Sequence, residues 1–171
     1  MHILITGGAG FLGARLARAL LARGSLAAGG GTAQPITTLT LTDRVAAPAD
    51  LAADPRVRSV EGDLNDLLKG GALLAPDTSV VFHLAAAVSG ECEADFDLGM
   101  RSNYEATRAL LEASRALGTR PVLVFASSLA VFGKQPGRPL PDPITDDTLP
   151  TPLVTAWNRD DARRPKTIST S

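Results

Sequence analysis

The sequence predicts an α/β protein built on a doubly wound parallel sheet, and three observations carry that expectation. Short β-branched apolar runs alternate with amphipathic stretches of helical spacing from residue 2 to residue 128. The first run ends in a glycine cluster, TGGAGFLG at 6–13, that opens directly into the first amphipathic stretch. That run is also apolar throughout rather than alternating, as a strand buried on both faces is.

HILIT (2–6) is the first strand, bounded by the glycines. From Phe11 to Arg23 the spacing turns helical, with Leu12, Leu16, Ala19 and Leu20 at threes and fours, Arg15 and Arg18 on the other side, and Gly24 closing the helix. GSLAAGGGTAQP (24–35) is glycine-rich with little apolar surface to bury, which predicts a mobile excursion. ITTLTLT (36–42) is the second strand and VRSVE (57–61) the third. In GDLND, Asp63 or Asn65 can cap a short helix reaching Leu74. SVVFHLAA (79–86) is the fourth strand. A long helix from about 95 to 117 follows, with Met100, Tyr104, Thr107, Leu111, Ser114 and Leu117 on its spacing and Gly118 as its stop. VLVFASS (122–128) is the fifth strand. Right-handed crossovers then give strand order 3-2-1-4-5, a Rossmann-type sheet. Residues 1–133 form the expected dinucleotide-binding domain, 134–152 a proline-rich loop, and 153–171 a polar, poorly ordered tail.

Composition narrows the function classes. At 171 residues the chain suits one domain. A formal net charge of −1 with scattered arginines provides no basic face for nucleic acid. The lone cysteine, Cys92, cannot form an internal disulfide, and MHILITGGAGF lacks the basic flank, apolar core and cleavage site of a secretory signal, so a cytoplasmic location is expected. VVFHLAAAV (80–88) falls far below the ~20 residues of a membrane-spanning helix. No membrane or nucleic-acid partner is expected.

The strand–glycine–helix arrangement is what a phosphate-binding turn requires. Gly7 permits the tight turn, Gly10 lets the backbone approach a pyrophosphate, and Gly13 lets helix and sheet pack closely, while the helix N-terminus presents N–H groups and partial positive charge. A glycine-rich turn without ligand is the alternative. Asp43 ends the second strand, and its carboxylate can accept hydrogen bonds from both ribose hydroxyls and repel a 2′-phosphate, favouring NAD over NADP. Arg44 beside it works against that preference, and a plain turn role for Asp43 stays open.

TGGAGFLG, GDLND, FHLAA and SSLAVFG, in this order and spacing, resemble the extended short-chain dehydrogenase/reductases, the NAD-dependent epimerase/dehydratase family, over residues 1–152. Within it, the run AAAVSGECEADFDLGMRSNYEATRALLEA (85–113) is most similar to members that oxidise four-carbon sugar acids such as D-erythronate at C2. The resemblance implies that Gly7, Gly10, Phe11, Leu12 and Gly13 hold the pyrophosphate of NAD, Asp43 the adenosine ribose, and Asp63 with Leu64 the adenine edge. It places Ala85 and Ala86 along the cofactor, has Asn103 support the site from its helix, and makes Ser128 rather than Ser127 the hydroxyl that meets the substrate oxygen.

Oxidising an alcohol carbon by hydride transfer also requires a base for the hydroxyl proton. The family uses a tyrosine whose phenol, with pKa about 10, is helped to ionise by a lysine four residues on. Setting TPLVTAWNRD (151–160) against the family's TP-x-x-SYG-x-x-K puts Ala156 at the tyrosine and Asp160 at the lysine. Ala cannot accept a proton, and an aspartate raises a neighbouring phenol's pKa. Tyr104 has Arg108 at the same spacing but on the helix that flanks the sheet, where core packing is the simpler role. The sequence therefore suggests an altered or truncated reading of a longer enzyme that departs from the family at Leu153. On this reading the C-terminal substrate region is missing, the fifth strand is left as a sheet edge, catalysis is impaired and the family's homodimer is doubtful. A dinucleotide-binding or regulatory module without catalysis, and a nonfunctional fragment, are the other readings.

Other conspicuous residues read as structural. Glu91, Glu93, Asp95 and Asp97 precede a helix and suit capping rather than metal binding. His83 lies inside an apolar strand with no ligand-spaced companion and reads as a satisfied core histidine. Carboxylates near Cys92 oppose a reactive thiolate.

Overall fold

Apolar side chains that point in turn to the two faces of the sheet decide how the layers stack. In the computed structural model, which describes residues 1–150 except 72, 133–138 and 140, β1 (His2–Thr6) is buried at all five positions. Ile3 and Ile5 face one side with Leu39, Leu41 and Val80, and pack against Ala14, Ala17 and Leu20. Leu4 faces the other with Val81, Leu73 and Leu110. At about 1.5–3 kcal/mol for each fully buried aliphatic side chain, these two clusters are what hold helices to both faces.

The elements follow in the order β1, α1 (Phe11–Arg23), β2 (Ser25–Leu26), β3 (Gln34–Pro35), β4 (Thr38–Asp43), α2 (Ala49–Ala52), β5 (Val57–Glu61), α3 (Leu64–Lys69), β6 (Thr78–His83), α4 (Ser89–Ala94) and α5 (Phe96–Gly99). A π-helical stretch (Met100–Glu105), α6 (Ala106–Ala116) and β7 (Val122–Phe125) complete the unit Met1–Ala126. Its main sheet has order β5-β4-β1-β6-β7 with every pairing parallel, the predicted 3-2-1-4-5 arrangement. In register, Thr6 of β1 stands level with Thr42 of β4 and His83 of β6, so the carboxyl ends of the three strands finish together. The strand order reverses there, and an open α/β sheet has its natural crevice at that point.

The second unit, Ser127–Ser171, contains a single 3₁₀ turn at Leu129–Val131 among its described residues. Residues 141–150 carry turns and no helix or strand. The expected tail at 153–171, with Ala156 and Asp160, lies outside the described residues.

Several boundaries differ from the sequence expectation, each for a local reason. The 24–35 excursion is partly structured: β2 and β3 pair antiparallel, Leu26 and Ala28 pack on the core, and Ile36, 3% exposed, donates its N–H to the Gly24 carbonyl. The second sheet strand therefore starts at Thr38, two residues late. The helix expected to reach Leu74 stops at Lys69, because Gly70 caps it and Gly71 takes φ +68°. The fourth strand ends at His83 rather than 86, since the Ala85 N–H leaves the ladder for the Thr6 hydroxyl at 3.2 Å. The fifth ends at Phe125 rather than 128.

The long helix expected over 95–117 is three segments. Asp95 caps α5 by accepting the Leu98 N–H at 2.9 Å, and the Ala106 N–H reaches back five residues to the Arg101 carbonyl. That one extra residue per turn defines the π-helical insertion, and such insertions recur at functional sites. Ahead of it, the Glu91 carboxylate accepts the Val88 N–H at 3.1 Å, closing the start of α4.

Candidate functional site

Above the level strand ends lies a cleft of about 470 Å³. Its floor is the turn between β1 and α1. Gly7 adopts φ +70°, and a Cβ there would stand 2.8 Å from the Ala85 nitrogen. Gly13 lies so close over the turn that a Cβ would overlap the Gly7 carbonyl oxygen and sit 2.8 Å from the Gly8 Cα. Only a residue without a side chain allows the start of α1 to settle onto β1 in this way. α1 starts at Phe11 behind Gly10, with no side-chain cap and no acidic residue in its first turn, so its first N–H groups stay open to an anion. A cradle that excludes Cβ atoms beneath an uncapped helix start is one that a pyrophosphate fits.

All five residues expected at the pyrophosphate, Gly7, Gly10, Phe11, Leu12 and Gly13, line this cleft. Phe11 and Leu12 are 81% and 61% exposed, an apolar rim at the helix start that burial in the core does not explain. Asp43 lies on the same cleft at the end of β4. Its Oδ2 accepts the Ala9 N–H at 3.1 Å and its Oδ1 accepts the Arg44 N–H at 2.7 Å. Each oxygen keeps further acceptor capacity.

Asp63 and Leu64 line the cleft just past β5, beside the end of β4. The Asp63 carboxylate is largely committed: Oδ1 accepts the Asn65 N–H at 3.0 Å to cap α3, and Oδ2 lies 3.3 Å from the Arg101 guanidinium. Ala85 and Ala86 form the wall beyond β6. Asn103 does not line the cleft and instead grips that wall, its Oδ1 accepting the Ala87 N–H at 2.8 Å and its Nδ2 donating to the Ala87 carbonyl at 3.0 Å. Ser128 belongs to the second unit, where its carbonyl accepts the Val131 N–H at 3.2 Å.

The structure adds residues that sequence reasoning passed over. Thr6, Thr42 and Gly62 line the cleft from the strand ends, and Ser102 and Ala106 from the π-helical stretch and the start of α6. Thr42 Oγ1 is buried with no hydrogen-bond partner among the described residues. The available signal was their position: Thr6 and Thr42 terminate strands whose carboxyl ends face the glycine turn. His83 is a core histidine, as expected, 1% exposed, and burial lowers its pKa below the usual histidine value. Cys92 is buried, with the Asn103 amide 3.5 Å from its sulfur.

The sequence model of the NAD dependent epimerase/dehydratase family matches residues 3–158. The chain belongs to this family. It is 54% identical over 154 residues to D-erythronate dehydrogenase of Cupriavidus necator, covering 89% of this chain and 45% of that protein. It is 41% identical to D-erythronate dehydrogenase of Haemophilus influenzae over 91% of this chain and again 45% of the relative. The chain thus spans less than half the length of these family relatives. Its structure is similar to that of a nucleoside-diphosphate-sugar epimerase from Agrobacterium tumefaciens, with TM-score 0.68 and 39% identity over 92% of this chain and 44% of the other. MoeE5, solved with UDP-glucuronic acid and NAD, aligns with TM-score 0.64 and 30% identity over 90% of this chain and 44% of its own. The family match runs through Ala156 and stops short of Asp160.

Among the described residues, no helix is long and apolar enough to cross a membrane and no group of acidic, histidine or cysteine side chains is placed to hold a metal.

Proposed function

We propose that this chain binds NAD in the cleft and represents the cofactor-binding half of an oxidoreductase that acts at C2 of a sugar acid such as D-erythronate. The observation that carries the reading is the meeting of the side-chain-free cradle at Gly7 and Gly13, the uncapped start of α1 and the Asp43 carboxylate in one crevice. The identity to two D-erythronate dehydrogenases supports the substrate class, and the NAD seen with MoeE5 supports the cofactor.

On this reading the Gly10–Gly13 segment receives the diphosphate on backbone N–H groups. Asp43, held by Ala9 and Arg44, accepts the ribose hydroxyls and disfavours a 2′-phosphate. With the Asp63 side chain capping α3, the peptide groups of Asp63 and Leu64 are left to meet the adenine edge. Ala85 and Ala86, small and close to the turn, let the nicotinamide end lie against the wall. NAD, when bound, supplies the hydride acceptor. Ser128 is assigned the substrate oxygen.

No proton acceptor is assigned. Ala156 stands at the tyrosine position and Asp160 at the lysine position, so the chain by itself is proposed to bind NAD without turnover. That is also how a regulatory dinucleotide-binding module would behave. Tyr104 does not fill the gap: it lies in the π-helical stretch, is 55% exposed and does not line the cleft. The proposed setting is cytoplasmic, with a dinucleotide as the small-molecule partner, and the family's homodimer is doubtful for this chain.

Calorimetric titration with NAD, followed by an absorbance assay for NADH with D-erythronate, tests the reading. Binding without NADH formation is the expected result. Turnover at a rate typical of the full-length relatives would overturn the impairment, and absence of NAD binding would overturn the assignment of the cleft.

A further inference from the structure

One hydrogen-bonded chain crosses the sheet under the cleft and ends on both sides in the cleft's wall. It begins at the Ala85 N–H, which donates to Thr6 Oγ1 at 3.2 Å. Thr6 Oγ1 lies 2.6 Å from His83 Nδ1, and His83 Nε2 lies 2.9 Å from Thr107 Oγ1. Thr107 Oγ1 in turn donates to the Asn103 carbonyl at 2.6 Å. The Asn103 side chain returns to the wall, holding Ala87 by both its N–H and its carbonyl.

The two ends of this chain fix its direction, because a peptide N–H only donates and a carbonyl only accepts. Thr107 has one hydroxyl proton and gives it to Asn103, so it accepts from Nε2–H of His83. A neutral imidazole protonated at Nε2 is bare at Nδ1, and Nδ1 therefore accepts the Thr6 O–H. Thr6 is then free to accept from Ala85 on a lone pair. Every member is satisfied in this one arrangement. Protonating His83 would add a donor at Nδ1 and leave the Thr6 hydroxyl proton without a partner, and burial of the ring opposes that charge.

Ala85, Ala87 and Thr6 line the cleft, and so do Ser102 and Ala106, each one residue before a member of the chain. Ser102 and Ala106 thus face the cleft while Asn103 and Thr107, each one residue on, take up the relay.

We propose that His83 is a positioning residue for the cofactor site: locked as the Nε2–H tautomer between Thr6 and Thr107, it sets where the 85–87 wall stands against the bound dinucleotide. This deepens the proposed function and rests on it. His83 does not line the cleft and acts through Thr6, Ala85 and Asn103.

Thr107 provides the test, since it does not line the cleft and Val matches its shape. In the full chain, Thr107→Val is expected to weaken NAD binding about tenfold, whereas Thr107→Ser, which keeps the hydroxyl, binds within about twofold of the parent. Nitrogen-15 NMR of the parent's imidazole should show His83 neutral with its proton on Nε2. Hydrogen exchange at the Ala85 and Ala87 amides should accelerate in Thr107→Val and not in Thr107→Ser. Equal NAD affinity of Thr107→Val and the parent, or a proton found on Nδ1, would overturn the proposal. If the parent itself does not bind NAD, the cofactor reading fails. The tautomer and the exchange rates then still decide the relay, which is overturned by unchanged exchange in Thr107→Val.

Discussion

The Asp43 carboxylate ties the tip of β4 to the glycine turn, with Oδ2 accepting the Ala9 N–H at 3.1 Å while Oδ1 accepts the Arg44 N–H at 2.7 Å. Two backbone donors hold the side chain in place before any ligand arrives, and each oxygen can still accept a ribose hydroxyl. Hydrogen bonds to a charged group are worth about 1.5–3 kcal/mol each. Asp43→Ala should therefore raise the NAD dissociation constant by roughly 10- to 100-fold in calorimetric titration. Asp43→Asn, which keeps the shape and removes the charge, should narrow the preference for NAD over NADP. An unchanged affinity in Asp43→Ala would remove Asp43 from the site.

Gly13→Ala is expected to damage the fold as well as the site. The added methyl would be driven into the Gly7 carbonyl oxygen and the Gly8 Cα, both backbone atoms that cannot turn aside. Overpacking of this kind costs about 1–3 kcal/mol or more. A thermal melt should show Tm lowered by several degrees, with NAD binding lost in parallel. A full-length chain that melts normally with alanine at this position would mean that α1 has room to lift off the turn.

Thr42→Val should stabilise the ligand-free chain. The Thr42 hydroxyl oxygen is buried without a partner among the described residues, and leaving such a group unsatisfied costs about 1–3 kcal/mol. Replacing it by a methyl of the same size removes that cost and should raise Tm by a few degrees. If the variant instead melts lower, the hydroxyl has a partner that the valine took away.

Stability should fall on acidification through the histidine range. Burial lowers the His83 pKa, so between that value and the ordinary histidine pKa of about 6.5 the unfolded chain binds a proton that the folded chain refuses. The contribution of neutral His83 is complete above about pH 6.5 and is lost as pH falls below it. Urea unfolding followed from pH 7.5 to pH 5 should show this slope, and His83→Gln should flatten it. A slope of equal size in the variant would assign the effect to another group.

Much of the fold was legible because its signals are local. Continuous apolar runs at 2–6 and 79–83, helical spacing at 11–23 and the strand–glycine–helix passage at 6–13 each depend on neighbours in sequence, and together they imply the parallel order found here. Gly7, Asp43, Asp63 and Ala85 could be gathered into one crevice because a doubly wound sheet brings its strand ends to one place. The less legible parts depend on long-range competition. Residues 24–35 look solvated by composition, yet Leu26, Ala28 and Ile36 find the core and order a short ribbon around them. The spacing over 95–117 fits one helix, and the Ala106 N–H reaching the Arg101 carbonyl reveals the inserted residue that breaks it.

By itself the sequence determined the layer architecture, the strand order and the strand–glycine–helix passage at 6–13, since each follows from residue type and spacing along the chain. The tertiary structure decided that Thr6, His83 and Thr107 come within hydrogen-bonding reach of one another and that the Thr42 hydroxyl is buried without a partner among the described residues. Those outcomes depend on which atoms come within hydrogen-bonding distance across 24 or 77 residues of sequence, and only packing sets such distances.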